Sequence, residues 1–185
     1  MTDEKELMFQ VKAGRLDKLA LLFESNKVQL YNYFLRSGSN SALSEDLVQE
    51  TFMRILAYRT SFHGNSTFKS WMYGIARNTR AEHYRKNNTQ NQHCDIDDQE
   101  IASEFTLAEN IETEQQHALF TKSLETLPRE HREIIILSRF QQLNYQEIAS
   151  LLDCNLNTLK ARMRKAISVL QQNYQQLLGE SAHES

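Results

Sequence analysis

The chain has 185 residues, 40% of them apolar and 24% charged, a balance that is globular and leaves room for one ordinary domain or two small ones. Five glycines and a single proline argue against a turn-rich all-β protein. The net charge of -3 disfavours a polyanionic partner only until it is counted by segment. Residues 1–88 carry 13 Lys and Arg against 9 Asp and Glu, a net +4; residues 89–116 carry none against 8; residues 117–185 carry 8 against 7. Two neutral-to-basic blocks therefore flank an acidic connector.

The N-terminus MTDEKEL is acidic and has no apolar signal core, and the longest aliphatic run, residues 134–137, is far too short to span a bilayer, so the expected compartment is the cytoplasm. Cys94 and Cys154 lie far apart, with no C-x-x-C and no histidine pair at metal-ligand spacing. They read as free thiols, and neither a metal site nor a cofactor is expected.

In chain order, residues 4–24 carry Leu7, Val11, Leu16, Leu19 and Phe23 at mixed three-to-five spacing, and residues 28–36 add Val28, Leu30, Tyr31, Phe34 and Leu35. The stretch SEDLVQETF opens a helix over about 44–58, with Leu47, Val48, Phe52, Ile55 and Leu56 on one face. Ser44 stands where an N-cap would, with Glu45 and Asp46 in the first turn, facing the positive end of the helix dipole. Asp46, Gln49 and Glu50 line up at i, i+3 and i+4, a stripe that is either solvated surface or a docking face. After a turn around His63, Gly64 and Asn65, a further helix runs from near Thr67 to about Arg85.

Within residues 62–86, Phe62, Phe68, Trp71, Tyr73 and Tyr84 interleave with Lys69, Arg77, Arg80, Arg85 and Lys86. Rings beside cations suit single-stranded DNA, because unpaired bases stack on the rings while the cations hold the backbone. Phe68, Trp71 and Ile75 fit a core equally well. The polar loop Gly64 to Thr67 has the chemistry to receive a flipped base and is equally an ordinary turn with a helix cap.

Residues 89–116 alternate amides and acids without a sustained apolar period and read as a flexible acidic linker. As a coil its length spans roughly 30 Å, and fully stretched about 90 Å. Beyond it, Pro128 suits the first position of a helix holding Ile134, Ile135, Leu137 and Phe140. Asn144 with Glu147 forms a capping-box signal ahead of Ile148, Leu151 and Leu152, and Asp153-Cys154-Asn155 breaks the pattern. A last helix buries Leu156, Leu159, Met163, Ile167 and Leu170, completing a helix-turn-helix. Its TLKARMRK segment carries Lys160, Arg162, Arg164 and Lys165 with no acid among them, which is either a solvated basic face or a contact with phosphates and base edges in the major groove. Arg162, nearer the apolar stripe, also has the option of packing internally. The expected fold is all-α: two small helical domains joined by the acidic linker.

Three segments together resemble the extracytoplasmic-function group of the sigma factors of bacterial RNA polymerase. SEDLVQETFMRIL is similar to the family's core-binding helix, FHGNSTFKSWMYGIARNTRAEHYRK to its promoter-melting segment, and LPREHREIIILSRFQQLNYQEIASLLDCNLNTLKARMRKAISVL to its region-four helix-turn-helix. The resemblance implies region 2 over 1–88, a linker over 89–116, region 4 over 117–178 and a frayed tail over 179–185.

The same resemblance implies that Asp46, Gln49, Glu50 and Phe52 dock on the coiled coil of the polymerase β′ subunit, with contacts to the β subunit elsewhere. Phe62, His63, Asn65, Ser66, Lys69, Arg77, Asn78 and Arg80 would meet the minus-ten element, with Asn65 and Ser66 capturing an extruded base. Thr158, Lys160, Ala161, Arg162, Arg164 and Lys165 would meet the minus-35 element. Partners implied are core polymerase, promoter DNA as duplex and melted strand, and an anti-sigma factor, in some cases at the inner membrane; no small-molecule substrate is implied. His63 stands where many relatives have Arg, Asn65 where many have Asp, and the turn CNLNT where relatives often have Pro and Gly.

A free-standing helix-turn-helix repressor would explain residues 117–178 but leave the 44–52 stripe and the aromatic-basic segment without purpose. An enzyme acting on nucleic acid would need convergent carboxylates or a His/Cys nucleophile arrangement, and His83, His117 and His131 are scattered among helical polar positions.

Overall fold

The computed structural model describes residues 3–90 and 111–183, and every regular element among them is helical. They belong to two compact units, one built from helices α1 to α4 and the other from α5 to α8. Most of the expected linker, and Cys94 with it, lies outside the described residues.

In the N-terminal unit, the amphipathic pattern over 4–24 is cut in two. Helix α1 spans Glu4–Lys12, capped by Asp3, whose carboxylate accepts from the Lys5 N–H at 3.0 Å. Gly14 at φ +98° then turns the chain in a conformation that only glycine adopts without strain. Helix α2, Asp17–Arg36, runs unbroken through the gap expected between residues 24 and 28. Helix α3 spans Ser41–Ala57, and α4 spans Phe68–Gln90, two residues into the expected linker.

The core joins Leu22, Leu30, Tyr33 and Phe34 of α2 to Leu47, Val48 and Ile55 of α3 and to Phe68, Met72, Tyr73 and Ala76 of α4, all buried. Each such large side chain contributes about 1.5–3 kcal/mol. Buried Asn26 ties α1 to α2, its amide donating to the Glu4 carboxylate and to its own helix at the Leu22 carbonyl, both at 2.9 Å.

The start of α3 differs from the sequence expectation. The cap is Asn40, whose side chain accepts from the Leu43 N–H at 2.9 Å, so the helix begins one turn earlier. Ser44 is interior and fully buried, and Glu45 and Asp46 lie past the first turn. The sequence offers two good capping residues four apart. Asn40 prevails because starting there adds a full turn of backbone bonds, including Ser44 N–H to the Asn40 carbonyl at 2.9 Å.

In the C-terminal unit, α5 (Ile111–Glu125) meets α6 (Arg129–Ile135) at Pro128, which sits at the N-cap, one residue ahead of its expected place. Arg132 closes this joint by donating to the carbonyls of Glu125 and Leu127. Helix α6 runs into a π-turn over Ile136–Phe140, and Gln142 at φ 58° ends it. Asn144 and Glu147 then form the expected reciprocal capping box at 2.9 and 3.0 Å and open α7, Tyr145–Leu151. Asp153 at φ 50° makes the turn, a conformation that Asp tolerates better than most side chains. Helix α8 runs Leu156–His183, so the segment expected to fray from residue 179 is helical through His183.

The hydroxyl of Ser44 is buried with no hydrogen-bond partner, whereas the Asn40 side chain holds an otherwise orphaned N–H. Asn40→Ala should therefore lower the stability of this unit by about 1 kcal/mol, and Ser44→Ala should leave it within about 0.5 kcal/mol or raise it. Urea unfolding followed through Trp71, the chain's one tryptophan and a residue of α4, measures both. The reverse order of effects would return the cap to Ser44.

Candidate nucleic-acid interface and docking face

Burial in α8 decides where its cations point. Leu159, Met163 and Ala166 are buried, so Lys160, Ala161, Arg162, Arg164 and Lys165 are all exposed and Thr158 half-buried. Arg162 thus projects to solvent. At 100° per residue, Lys160, Ala161 and Arg164 share one stripe opposite the core, with Thr158, Arg162 and Lys165 on its flank. Asn157 is exposed and lies three residues before Lys160 on that stripe; being uncharged, it adds nothing to the cationic signal of the sequence. The Asn155 side chain fixes the helix start by accepting from the Thr158 N–H at 2.8 Å.

In the N-terminal unit a short 3₁₀ turn, Arg59–Ser61, leads into the loop 62–67. Phe62 is buried, its ring against Phe9 at 5.3 Å and against Trp71 at 5.2 Å, so it is a support beneath the loop and not a contact surface. An aromatic among polar residues reads as a stacking platform in sequence; here the neighbouring rings of α1 and α4 claim it. His63, Asn65, Ser66 and Thr67 are exposed, and the Thr67 hydroxyl caps α4 by accepting from the Ser70 N–H at 3.2 Å.

Along α4, Trp71, Gly74, Asn78 and Arg85 share one face, Asn78 lying about 10.5 Å, two turns, beyond Trp71. A Cβ at Gly74 would meet nothing within 4 Å, so the face is open between the ring and the amide. The loop therefore leads into the end of α4 that carries Trp71, and Asn78 lies about two turns further along the same face. Arg77 and Arg80 stand on a different flank, Arg80 stacked over the Tyr84 ring at 5.0 Å. The Lys69 ammonium donates to the Gln29 side chain at 3.2 Å.

On α3, Asp46, Gln49 and Glu50 are exposed on one stripe, and Met53, at 63% exposure, continues it at i+7 from Asp46. Polar spacing gives no sign of Met53, because an apolar residue on a helix reads as core. Phe52 points the other way, 6% exposed and edge-on to Phe23 at 5.0 Å. Glu45 belongs neither to the cap nor to the centre of the stripe.

Arg54 ties that stripe to α4: its guanidinium donates to Glu50 at 2.7 Å and to Glu82 at 2.9 Å. The two hydrogen-bonded carboxylates hold Arg54 more firmly protonated than usual, and Arg54 lowers the Glu82 carboxyl below its ordinary value. Among the described residues no cluster of His, Cys, Asp and Glu is arranged to hold a metal ion, and no helix is long and apolar enough to cross a membrane.

Residues 22–90 match the family described as Sigma-70 region 2, and residues 117–170 match Sigma-70, region 4. The chain belongs to the extracytoplasmic-function group of the sigma-70 family. It is 29% identical to RNA polymerase sigma factor YlaC of Bacillus subtilis over 85% of this chain and 92% of that one. It is 27% identical to the ECF RNA polymerase sigma-E factor of Escherichia coli over 94% and 98%. Among solved structures, sigma factor RpoE of Bartonella quintana in complex with the anti-sigma factor NepR is similar with a TM-score of 0.67 at 26% identity, covering 86% of this chain and 95% of that one. CnrH in complex with the cytosolic domain of CnrY shares the fold at a TM-score of 0.69 and 20% identity, over 91% and 95%. As a sigma factor of this group, the protein directs core polymerase to promoters and assists their opening.

The lowered Glu82 value fixes the sign of a pH effect. A depressed carboxyl stabilises the fold above its ordinary range, and that contribution is lost as pH falls through the lowered value. Glu82→Gln should lower the urea midpoint of Trp71 fluorescence at neutral pH, with the gap to the parent closing as pH drops below the usual glutamate range. A pH-independent gap would show that the Arg54 pair is not its cause.

Proposed function

We propose that the exposed faces divide the work of initiation by the state of the DNA that each meets. The reading is carried by one observation: α8 buries Leu159, Met163 and Ala166 and turns Lys160, Ala161 and Arg164 outward at the N-terminal end of the second helix of a helix-turn-helix. In this reading α8 lies in the major groove of the minus-35 element. Lys160 and Arg164 take base edges or phosphates, Ala161 offers a methyl-sized contact, and Asn157, Thr158, Arg162 and Lys165 border them.

The loop 62–67 and the adjoining face of α4 meet the melted minus-ten strand. Asn65 and Ser66 receive the extruded base, His63 and Asn78 line its approach, and Lys69, Arg77 and Arg80 face the backbone. Phe62 serves from below. Asp46, Gln49, Glu50 and Met53 form the face for the β′ coiled coil of core polymerase, which Phe52 supports from inside; the β subunit takes contacts elsewhere.

Promoter opening is then favoured by preferential binding to the melted strand, so the protein acts without catalysing a reaction, in the cytoplasm with polymerase and nucleoid DNA. Region 2 over 1–88 and region 4 over 117–178 act as the two grips, joined through 89–116. An anti-sigma protein is the proposed regulator, supported by the complex in which the similar RpoE was solved. One anchored in the inner membrane would hold the protein there.

Changing Lys160 and Arg164 together to Ala should reduce run-off transcription from the cognate duplex promoter by roughly 100-fold, at about 1–3 kcal/mol per lost base contact, with core polymerase still bound. Undiminished promoter selection would remove α8 from the minus-35 element. Asp46→Arg with Glu50→Arg should abolish co-purification with core polymerase, and retention at parental levels would move the docking face elsewhere.

A further inference from the structure

The loop that receives the base in this reading is held by a helix outside both matched family regions. Helix α1 ends at Lys12, ten residues before the region 2 match begins at residue 22. Its contacts with the loop are made mainly to the loop's backbone and to Phe62, while His63, Asn65 and Ser66 stay exposed. The Lys12 ammonium donates to the main-chain carbonyl of Phe62 at 2.6 Å, a half-buried bond across fifty positions of sequence. The Phe9 ring lies against the Phe62 ring at 5.3 Å, which in turn lies against Trp71. Gly64, at φ +73°, brings its backbone down on the same helix: a Cβ there would stand 2.6 Å from Phe9 Cζ and 2.8 Å from Lys5 Cε.

Helix α1 is itself fixed. Leu7, Met8 and Val11 are buried, and the Glu4 carboxylate takes the bond from buried Asn26. The loop therefore meets side chains of a fixed helix at three points: Lys12 at the Phe62 carbonyl, Phe9 at the Phe62 ring, and the ends of Phe9 and Lys5 beside Gly64. A polar loop of this length that moved freely would let Asn65 and Ser66 shift to accept a wrong base nearly as well as the right one. Pre-ordering the backbone lets the side chains discriminate.

We propose that α1 is the positioning element of the base-capture loop, with Lys12 and Phe9 as its positioning residues. The proposal deepens the capture reading given above and rests on it. Neither residue is assigned a contact with the base: Lys12 acts through the Phe62 carbonyl and Phe9 through the Phe62 ring and the space at Gly64. Lys12 also adds positive charge near the strand, and the test below separates that general attraction from positioning.

The full-length chain, assembled with core polymerase, is assayed by run-off transcription on duplex promoters substituted one base at a time across the minus-ten element. Variants are Lys12→Met, Phe9→Ala, Lys12→Arg and, as the direct probe of capture, Asn65→Ala. Core binding and the urea midpoint are measured for each. At the position where Asn65→Ala erodes base discrimination, Lys12→Met should erode it by about tenfold, the scale of one charged hydrogen bond lost, and Phe9→Ala by up to about tenfold, the scale of one aromatic pair lost. Lys12→Arg should restore it to within about threefold, because it keeps a donor to the carbonyl. Affinity for core polymerase should not move.

If Asn65→Ala erodes discrimination and the α1 variants do not, the capture reading stands and the positioning role falls. If the α1 variants lower transcription equally for every base, they act through charge or general stability, and the positioning role falls again. If Asn65→Ala changes discrimination nowhere, the capture reading fails and takes the proposal with it.

Discussion

Burial of Phe62 between Phe9 and Trp71 is the interaction on which the N-terminal unit's working surface depends. The ring joins α1 and α4 and makes the start of a polar loop part of the core. Because Phe62 is held from both sides, the next residues leave the surface at a fixed point, and Gly64 at φ +73° turns the chain where a side chain would collide with α1. Exposure of Asn65 and Ser66 follows from those constraints. The polar chemistry of the loop is thus set up by apolar packing beneath it.

The Glu50, Arg54 and Glu82 arrangement does for charge what Phe62 does for shape. Arg54 is largely covered, so its guanidinium needs its carboxylates, and it finds one on α3 and one on α4. The exposed stripe on α3 and the long helix α4 are therefore linked by one side chain whose removal would leave both acids without their common partner. Exposed ion pairs contribute little singly, typically about 0–1 kcal/mol. A shared, partly covered arginine matters more for register than for stability, since it fixes the rotation of α3 against α4.

Much of this was legible in the sequence. The Asn144 to Glu147 box and the break at Asp153 need only local chemistry, and both appear where their spacing put them; of the apolar residues expected to be buried in α8, Leu159 and Met163 are, while Leu156, Ile167 and Leu170 are half-buried. Of the positions that shifted, one turns on helix length and the others on contacts distant in sequence. Ser44 is as good a cap as Asn40 by residue type, and only the extra turn decides between them. Phe52 and Phe62 looked available for partners because nothing local says that Phe23, Phe9 and Trp71 would cover them. Met53 and Asn157 were passed over for the opposite reason: neither is charged, and the exposure that makes each notable belongs to the folded helix.

The two surfaces proposed to face DNA are built by opposite means, and the DNA each would meet gives the reason. A regular helix such as α8 presents a rigid stripe with a period near 5.4 Å per turn, which suits the fixed geometry of a duplex groove. An unpaired base has no fixed geometry and must be received one at a time, which a helix face cannot do and a short loop over a rigid base can. In that reading the two faces lie in different units of one chain. Joining them through residues 89–116 makes the second contact intramolecular, so that its strength depends on effective concentration more than on further contact area.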